Sequence, residues 1–421
     1  MNLDKKDSKT EVDREIHENI QLYKDDSGFT DQDPSKLLTF WHGLRFGLNF
    51  IFILPFKVIF SLTRILLEGE RRINGNILVR VFMRECVKLT DPKIWEYVLN
   101  PIFEAIYKSK GAQLKMLKYE VPTEDLQVSK SGIFDKPFVK NTSTESKFFW
   151  EVPIDSNTFN PETDPILIYY HGGGYALKLT PTTLSFLFNT GKRFPGMPII
   201  VSDYAPTASS RENNKYPRQL LDILAVYDYV TETLGCRNVI LMGDSAGGNA
   251  VLMLLLYLIN HGRTIFPKKA IPISPWLNTT YLAEKEKIFM KKLEKWDYIS
   301  MEVVQMFGEL YVSQAMRNEN YDHINDEYIN IEHNFKQDTW QLITDKCDLL
   351  VTFGEDEILR YQIEEFIGKL ISCNPKKFTW ENNVFSDYHG AHTGPVLAWE
   401  TDVDLWAKQP SVHPIIQFLK R

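Results

Sequence analysis

The chain lacks what several functional classes require. Its four cysteines, Cys86, Cys236, Cys347 and Cys373, are far apart and form no CxxC pair. That spacing offers no zinc framework and no dense disulfide scaffold, so they read as buried free thiols. Positive charge is not in surplus: 48 lysines and arginines stand against 55 acidic residues, a net charge of −7. A nucleic-acid partner would call for a basic face. No internal repeat is present. The first 35 residues have almost no apolar periodicity and read as a polar, disordered tail.

Apolar material is plentiful. Hydrophobic residues make up 43% of 421, enough for one large α/β domain with insertions. Residues 46–67, FGLNFIFILPFKVIFSLTRILL, form one long apolar run. As a helix it would measure ~33 Å, close to the ~30 Å hydrocarbon thickness of a bilayer, and it reads as a membrane anchor. It starts too far behind a polar tail for a simple signal peptide. Lys57 would cost about 2.5–3.5 kcal/mol near a bilayer centre, and Pro55 disfavours a straight helix. The alternative is a helix lying flat on a membrane or on the enzyme itself. Orientation signals conflict. Lys36 and Arg45 precede the run while Arg71, Arg72 and Arg80 follow it, favouring a cytoplasmic C-terminal side. The sequons at Asn141 and Asn278 would be glycosylation sites only in a lumen.

Beyond the run, residues 69–421 read as the catalytic domain. Gly69 to Lys118 looks helical, and 148–154 reads as a strand. Then strands and helices alternate. Apolar runs at 165–170, 197–204, 238–244, 269–275 and 348–355 read as strands, with a last strand at 376–383. Segments 216–234, 246–262 and 360–373 have helical spacing. Uniformly apolar strands alternating with helices predict a mostly parallel sheet covered on both faces. The charged, largely helical stretch 279–344 is too long for an ordinary loop and reads as a helical cap over the site.

Two motifs carry chemistry. Gly243-Asp244-Ser245-Ala246-Gly247 fits G-x-S-x-G between a strand and a helix. A serine on such a turn needs small neighbours because the backbone is strained and closely packed. Upstream, His171-Gly172-Gly173-Gly174 directly follows a strand. Its glycines let main-chain N–H groups reach an oxyanion, with Gly173, Gly174 and Ala246 as the expected donors. A phosphate loop is the competing reading of the glycines, but no Lys-Ser/Thr follows. His171 reads as a structural residue, because in this order of motifs the base comes late in the chain. The chemistry predicted is acyl transfer from Ser245, with no metal or other cofactor called for.

With these motifs in this order, the sequence resembles the hormone-sensitive-lipase family of α/β-hydrolases. Asp203-Tyr204, Tyr216-Pro217 and Ser274-Pro275-Trp276 are similar to further family motifs. Together with the tail and apolar segment, the chain looks most like the fungal steryl acetyl hydrolases. The resemblance implies the α/β-hydrolase fold and a Ser-acid-His order. The family's acid-Pro-Leu-Arg pattern falls, ungapped, on Glu357, with Asp356 the alternative if the turn differs by one residue. Its histidine, shortly after a glycine, falls on His392, with His389 the alternative. The implied substrate is a lipophilic ester, a steryl acetate above all. The implied location is the endoplasmic reticulum membrane, single-pass, with the catalytic domain lumenal.

Overall fold

The computed structural model describes residues 36–67, 75–119, 144–313, 316–317 and 320–421. The expected tail, Asn141, Arg71 and Arg72 lie outside these residues.

One mixed sheet organises the described chain. Strands β1 (Lys115–Tyr119), β2 (Thr144–Val152) and β4 (Ile199–Ser202) pair antiparallel in that order. From β4 the pairing turns parallel, through β3 (Pro165–Tyr170), β5 (Asn238–Asp244), β6 (Lys269–Ile273), β8 (Val351–Gly354) and β9 (Val384–Asp387). A two-residue β7 (Asp348–Leu349) adds to β6. The pleat explains why β3 is apolar throughout. Ile166, Ile168 and Tyr170 enter the core on one face of the sheet, and Leu167 and Tyr169 the core on the other. The helix Ala246–Asn260 is buried almost all round. Each fully buried leucine in it contributes roughly 1.5–3 kcal/mol.

The chain runs from β3 out to β4 and returns on the other side of β3 to β5. Such a reversal opens a crevice at the carboxyl ends of the strands. Both glycine motifs leave strands there, because β3 and β5 are neighbours in register, Tyr170 opposite Gly243. The loops after β8 and β9 leave the same edge.

Several expected elements are placed differently. Residues 115–118, read as helical, fall in the edge strand β1. The strand expected at 148–154 begins four residues earlier and ends at Val152. The last strand is not 376–383. Thr379 accepts the Asn382 N–H and caps the short helix Trp380–Asn383, and β9 follows it. The helix Gln337–Lys346, counted in the cap from its charge, sends Trp340 and Ile343 into the main core beside the helices Ala246–Asn260 and Arg360–Cys373. Of the expected cap, the helix Met301–Tyr311 sets Phe307 against Gly174, and a turn at 294–300 joins it to Glu284–Leu293. The four cysteines form no disulfide, and three of them are buried.

The apolar run is helical from Lys36 to Leu67, with one wide turn at Asn49–Ile53 where the Leu54 N–H reaches back to the Asn49 carbonyl. That turn ends two residues before Pro55. A wide turn takes up the clash and the missing donor that proline imposes. The 26 residues Phe40–Ile65 are long and apolar enough to cross a membrane, by length and composition. One face packs against the body: Val58, Leu62 and Ile65 meet Ile77, Val81 and Trp296, and Ser61 donates to Glu85. The other exposes Phe52, Phe56, Ile59 and Phe60. Lys57 is exposed as well.

Candidate active site

Ser245 has φ 54° and ψ −115°, a conformation that non-glycine residues avoid. The close packing around it explains the flanking glycines. A Cβ on Gly247 would lie 1.9 Å from the Tyr170 carbonyl oxygen, and one on Gly243 would lie 2.3 Å from that of Gly247. The turn is held by Ser245 N–H on the Ile273 carbonyl (2.8 Å) and Trp276 N–H on the Ser245 carbonyl (3.1 Å). The side chain faces the crevice from the N-terminus of the helix Ala246–Asn260, where the helix dipole favours developing negative charge.

The glycine loop after β3 is fastened from below. Gly172 N–H donates to Asp244 Oδ1 (2.9 Å), which also accepts from the Tyr169 hydroxyl (2.6 Å). Asp244 therefore ties the two motifs together. Gly173 and Gly174 have φ of 100° and 61°, the left-handed region that glycine adopts at no steric cost. Their N–H groups have no acceptor among the described residues. His171 is fully buried and stacks on Tyr204 at 4.1 Å. Burial pushes its pKa down to about 4, so it sits there as a neutral wedge.

His392 Nε2 lies 2.8 Å from Ser245 Oγ. Its Nδ1 faces Glu357 Oε1 at 3.6 Å, longer than a formed hydrogen bond. Both atoms are buried with no other partner among the described residues. Such contacts tighten when substrate closes the site. Glu357 is fully buried, and its Oε2 accepts from the Ser274 hydroxyl (2.6 Å) and the Gly354 N–H (2.8 Å). Ser274 Oγ in turn accepts the Thr393 N–H (2.9 Å). The two alternatives meet one another instead: His389 Nδ1 lies 3.3 Å from Asp356 Oδ2, and His389 is 37% exposed. The other sequon does not fit the fold. Asn278 is 2% exposed, and its amide bonds Glu332 and the His333 N–H, so a glycan there has no room.

The arrangement can move a proton from a serine hydroxyl to an imidazole backed by a carboxylate. Burial works to lower the His392 pKa, but Glu357, with Asp297 and Asp244, outweighs it and holds the imidazole above its ordinary value of 6.5. A base must be neutral to accept the serine proton. The acid limb of kcat/KM is therefore expected to have its midpoint above pH 6.5, with activity falling as the pH drops through it. A midpoint below 6.5 in a pH-rate profile on p-nitrophenyl acetate would contradict this.

Parts of the site had no motif to announce them. Asn100 accepts the Lys178 N–H (2.8 Å) and donates to the Ala176 carbonyl (3.0 Å), bracing the glycine loop from the N-terminal region. The ring of Phe307 lies against Gly174, where a Cβ would come within 2.2 Å of it. Trp95 and Trp276 flank that ring, with centroids 4.8 and 6.3 Å away.

Comparison with known proteins joins these features to a family. The family model described as steryl acetyl hydrolase matches residues 44–418. Steryl acetyl hydrolase 1 of Saccharomyces cerevisiae is 38% identical over 98% of each chain. Among solved structures, an esterase from Pyrobaculum calidifontis superposes with a TM-score of 0.56 at 16% identity, over 82% of this chain and 98% of its own. A thermostable esterase from Pseudomonas putida gives 0.55 at 16%, over 83% and 96%. These two likenesses establish the α/β-hydrolase fold. The match over nearly the whole length, apolar helix included, goes further: this chain belongs to the steryl acetyl hydrolase family.

Proposed function

We propose that the protein hydrolyses acetyl esters of sterols and related lipophilic alcohols, with Ser245, His392 and Glu357 as its triad. The observation that carries this reading is the 2.8 Å approach of His392 Nε2 to Ser245 Oγ beside the Gly173–Gly174 turn. His392 takes the serine proton as Oγ attacks the ester carbonyl carbon. The N–H groups of Gly173, Gly174 and Ala246 hold the oxyanion. The C–O bond to the alcohol then breaks, and the imidazolium returns the proton to the departing oxygen. Water, deprotonated by His392, releases acetate and regenerates Ser245.

Three aromatic rings support acetate over longer acids. Phe307, backed by Trp95 and Trp276, occupies the space beside Gly174, where the acyl group of a bound ester would extend. The apolar face of Phe40–Ile65 supports membrane association. Its partner helix Gly75–Lys88 grips the cap turn, with Arg84 on the Glu294 carbonyl (2.6 Å) and Lys88 on the Glu294 carboxylate (2.7 Å). A membrane-held substrate would thus arrive next to the site. We assign the catalytic domain to the endoplasmic reticulum lumen, protecting the cell from lipophilic acetates. Of the two sequons, only Asn141 is left to report that location.

The test is hydrolysis by membranes carrying the full chain, with cholesteryl acetate against cholesteryl oleate, and p-nitrophenyl esters from two to twelve carbons. The expected preference for acetyl over acyl chains beyond six carbons is on the order of 10–100-fold, the scale on which pockets discriminate added methylenes. Equal or better activity on long chains would replace this reading with a general carboxylesterase or acylglycerol lipase. No activity on any ester would leave a binding protein.

A further inference from the structure

Asp297 is fully buried, yet it belongs to the cap turn and not to the sheet. Its Oδ2 accepts the Ile358 N–H (2.7 Å), one residue beyond Glu357. Its Oδ1 accepts the Tyr298 N–H (2.7 Å) and the His392 N–H (3.3 Å). One carboxylate therefore bridges the main chains of the acid loop and the base loop. Tyr298 adds a second tie: its hydroxyl pairs with Thr393 Oγ1 at 2.7 Å, and its ring centroid is 5.9 Å from the His392 imidazole. The turn that carries both is anchored from outside by Arg80, Arg84 and Lys88. Arg80 reaches the carbonyls of Trp296 (3.3 Å) and His389 (2.8 Å), and the other two reach Glu294.

A carboxylate is a costly choice for such a fastening. Buried ions are unfavourable unless compensated, and N–H groups could be satisfied by a neutral amide or by carbonyls. The groups that face Asp297 are His392 from the loop after β9 and Glu357 from the loop after β8. Facing His392 are Glu357, Asp297 and Asp244 at the end of β5. Only the imidazole in this group gains positive charge during acyl transfer. A negative charge fixed against its backbone favours that form.

We propose that Asp297 is a positioning residue through which the cap sets the catalytic histidine, holding the Ile358 and His392 main chains in register and adding its charge to that of Glu357 in stabilising the imidazolium. This rests on the triad reading above. Burial, and the like charge of Glu357, raise the Asp297 pKa to about 6 while His392 opposes that rise. The carboxyl is then mostly ionised at pH 7, and the fastening loosens as the pH falls through about 6.

The experiment compares full-length wild type, Asp297→Asn and Tyr298→Phe on p-nitrophenyl acetate across pH, with thermal melting in parallel. The amide keeps the shape, loses the charge and sets a donor against the Ile358 N–H. For Asp297→Asn, kcat is expected to fall about 10–100-fold with KM within about threefold. The acid limb should move down by about half a unit or more, because a carboxylate that favoured the imidazolium is gone. Tyr298→Phe removes a neutral tie, so its acid limb should stay in place. If Asp297→Asn does not fold, Asp297→Ser, which keeps an acceptor for the His392 N–H, is read the same way. An unchanged kcat overturns the proposal. So does a kcat loss that tracks melting while the acid limb stays where it was, since that is a structural role alone. Wild-type activity that survives Ser245→Ala would overturn the triad reading itself, and this proposal with it.

Discussion

Ser245→Ala is expected to lower kcat for ester hydrolysis by about 10⁴–10⁶-fold, the range found when a triad nucleophile is removed, with little change in melting temperature. The two halves of that expectation have separate causes. Stability should hold because alanine keeps the Cβ that the turn already accommodates. The left-handed backbone at φ 54° strains alanine as it strains serine. The main-chain bonds to Ile273 and Trp276 do not involve the side chain. The one bond lost is the 2.8 Å contact to His392, and Ser245 is only half-buried. Activity should collapse because, among the described residues, no other hydroxyl bonds the His392 ring. Glycine-loop donors would remain, so a residual rate above the uncatalysed one is expected. Purified variant showing more than about 1% of wild-type kcat, on steryl acetate or p-nitrophenyl acetate, would remove Ser245 from its role.

The fold was legible in the sequence where burial is two-sided. Runs such as PILIYY and NVILMGD are apolar on both faces because helices cover both, and their bounds in the structure are 165–170 and 238–244. Edges were harder. In strand β1, Lys115, Met116 and Leu117 are exposed or half-buried, and among the described residues the strand pairs on one side only, so its pattern did not differ from the amphipathic helices before it. The helix Gln337–Lys346 carries the charge of a surface element, yet Trp340 anchors it in the core. Charge along a segment reports its outer face, not its depth.

The site divides in the same way. Ser245, His171 and the three glycines stand in short contiguous motifs, because a strand-to-helix turn and an N–H-lined loop are local structures. Asn100 and Asp297 bond the site's loops across 61 to 95 residues of sequence, Trp95 and Phe307 meet from opposite sides of the motifs, and no local pattern marks any of them. They share a consequence. The wall of the site is built by the N-terminal region and the cap together, with Trp95 against Phe307 and Lys88 against Glu294. The segment between the apolar helix and the sheet thus packs behind the ring that lies against Gly174.

The adjacent acids 356 and 357 give the second large expected effect, and here a contrast carries the argument. Glu357→Gln should lower kcat by about 10³–10⁴-fold, whereas Asp356→Asn should stay within about threefold of wild type. The turn after β8 sends the two side chains apart. Glu357 goes inward, where Oε2 is held by Ser274 and Gly354 and Oε1 is left to His392 Nδ1. Glutamine there is nearly isosteric. Its oxygen would keep the Ser274 and Gly354 bonds, which turns its amide nitrogen toward His392. A donor at that point forces Nδ1 to accept, which puts the ring proton on Nε2, facing Ser245. The histidine is then the wrong tautomer to take the serine proton, and the imidazolium has lost its nearest counter-charge. Asp356 goes toward His389, and its backbone N–H to the Gly390 carbonyl (2.9 Å) does not depend on the side chain. The two variants also separate in pH. Without Glu357, burial dominates His392, so the residual activity of Glu357→Gln should show an acid limb below that of wild type, while Asp356→Asn keeps the wild-type limb. Steady-state kinetics on p-nitrophenyl acetate measures both effects. The reverse ranking would move the acid to Asp356 and require the turn after β8 to rearrange on substrate binding.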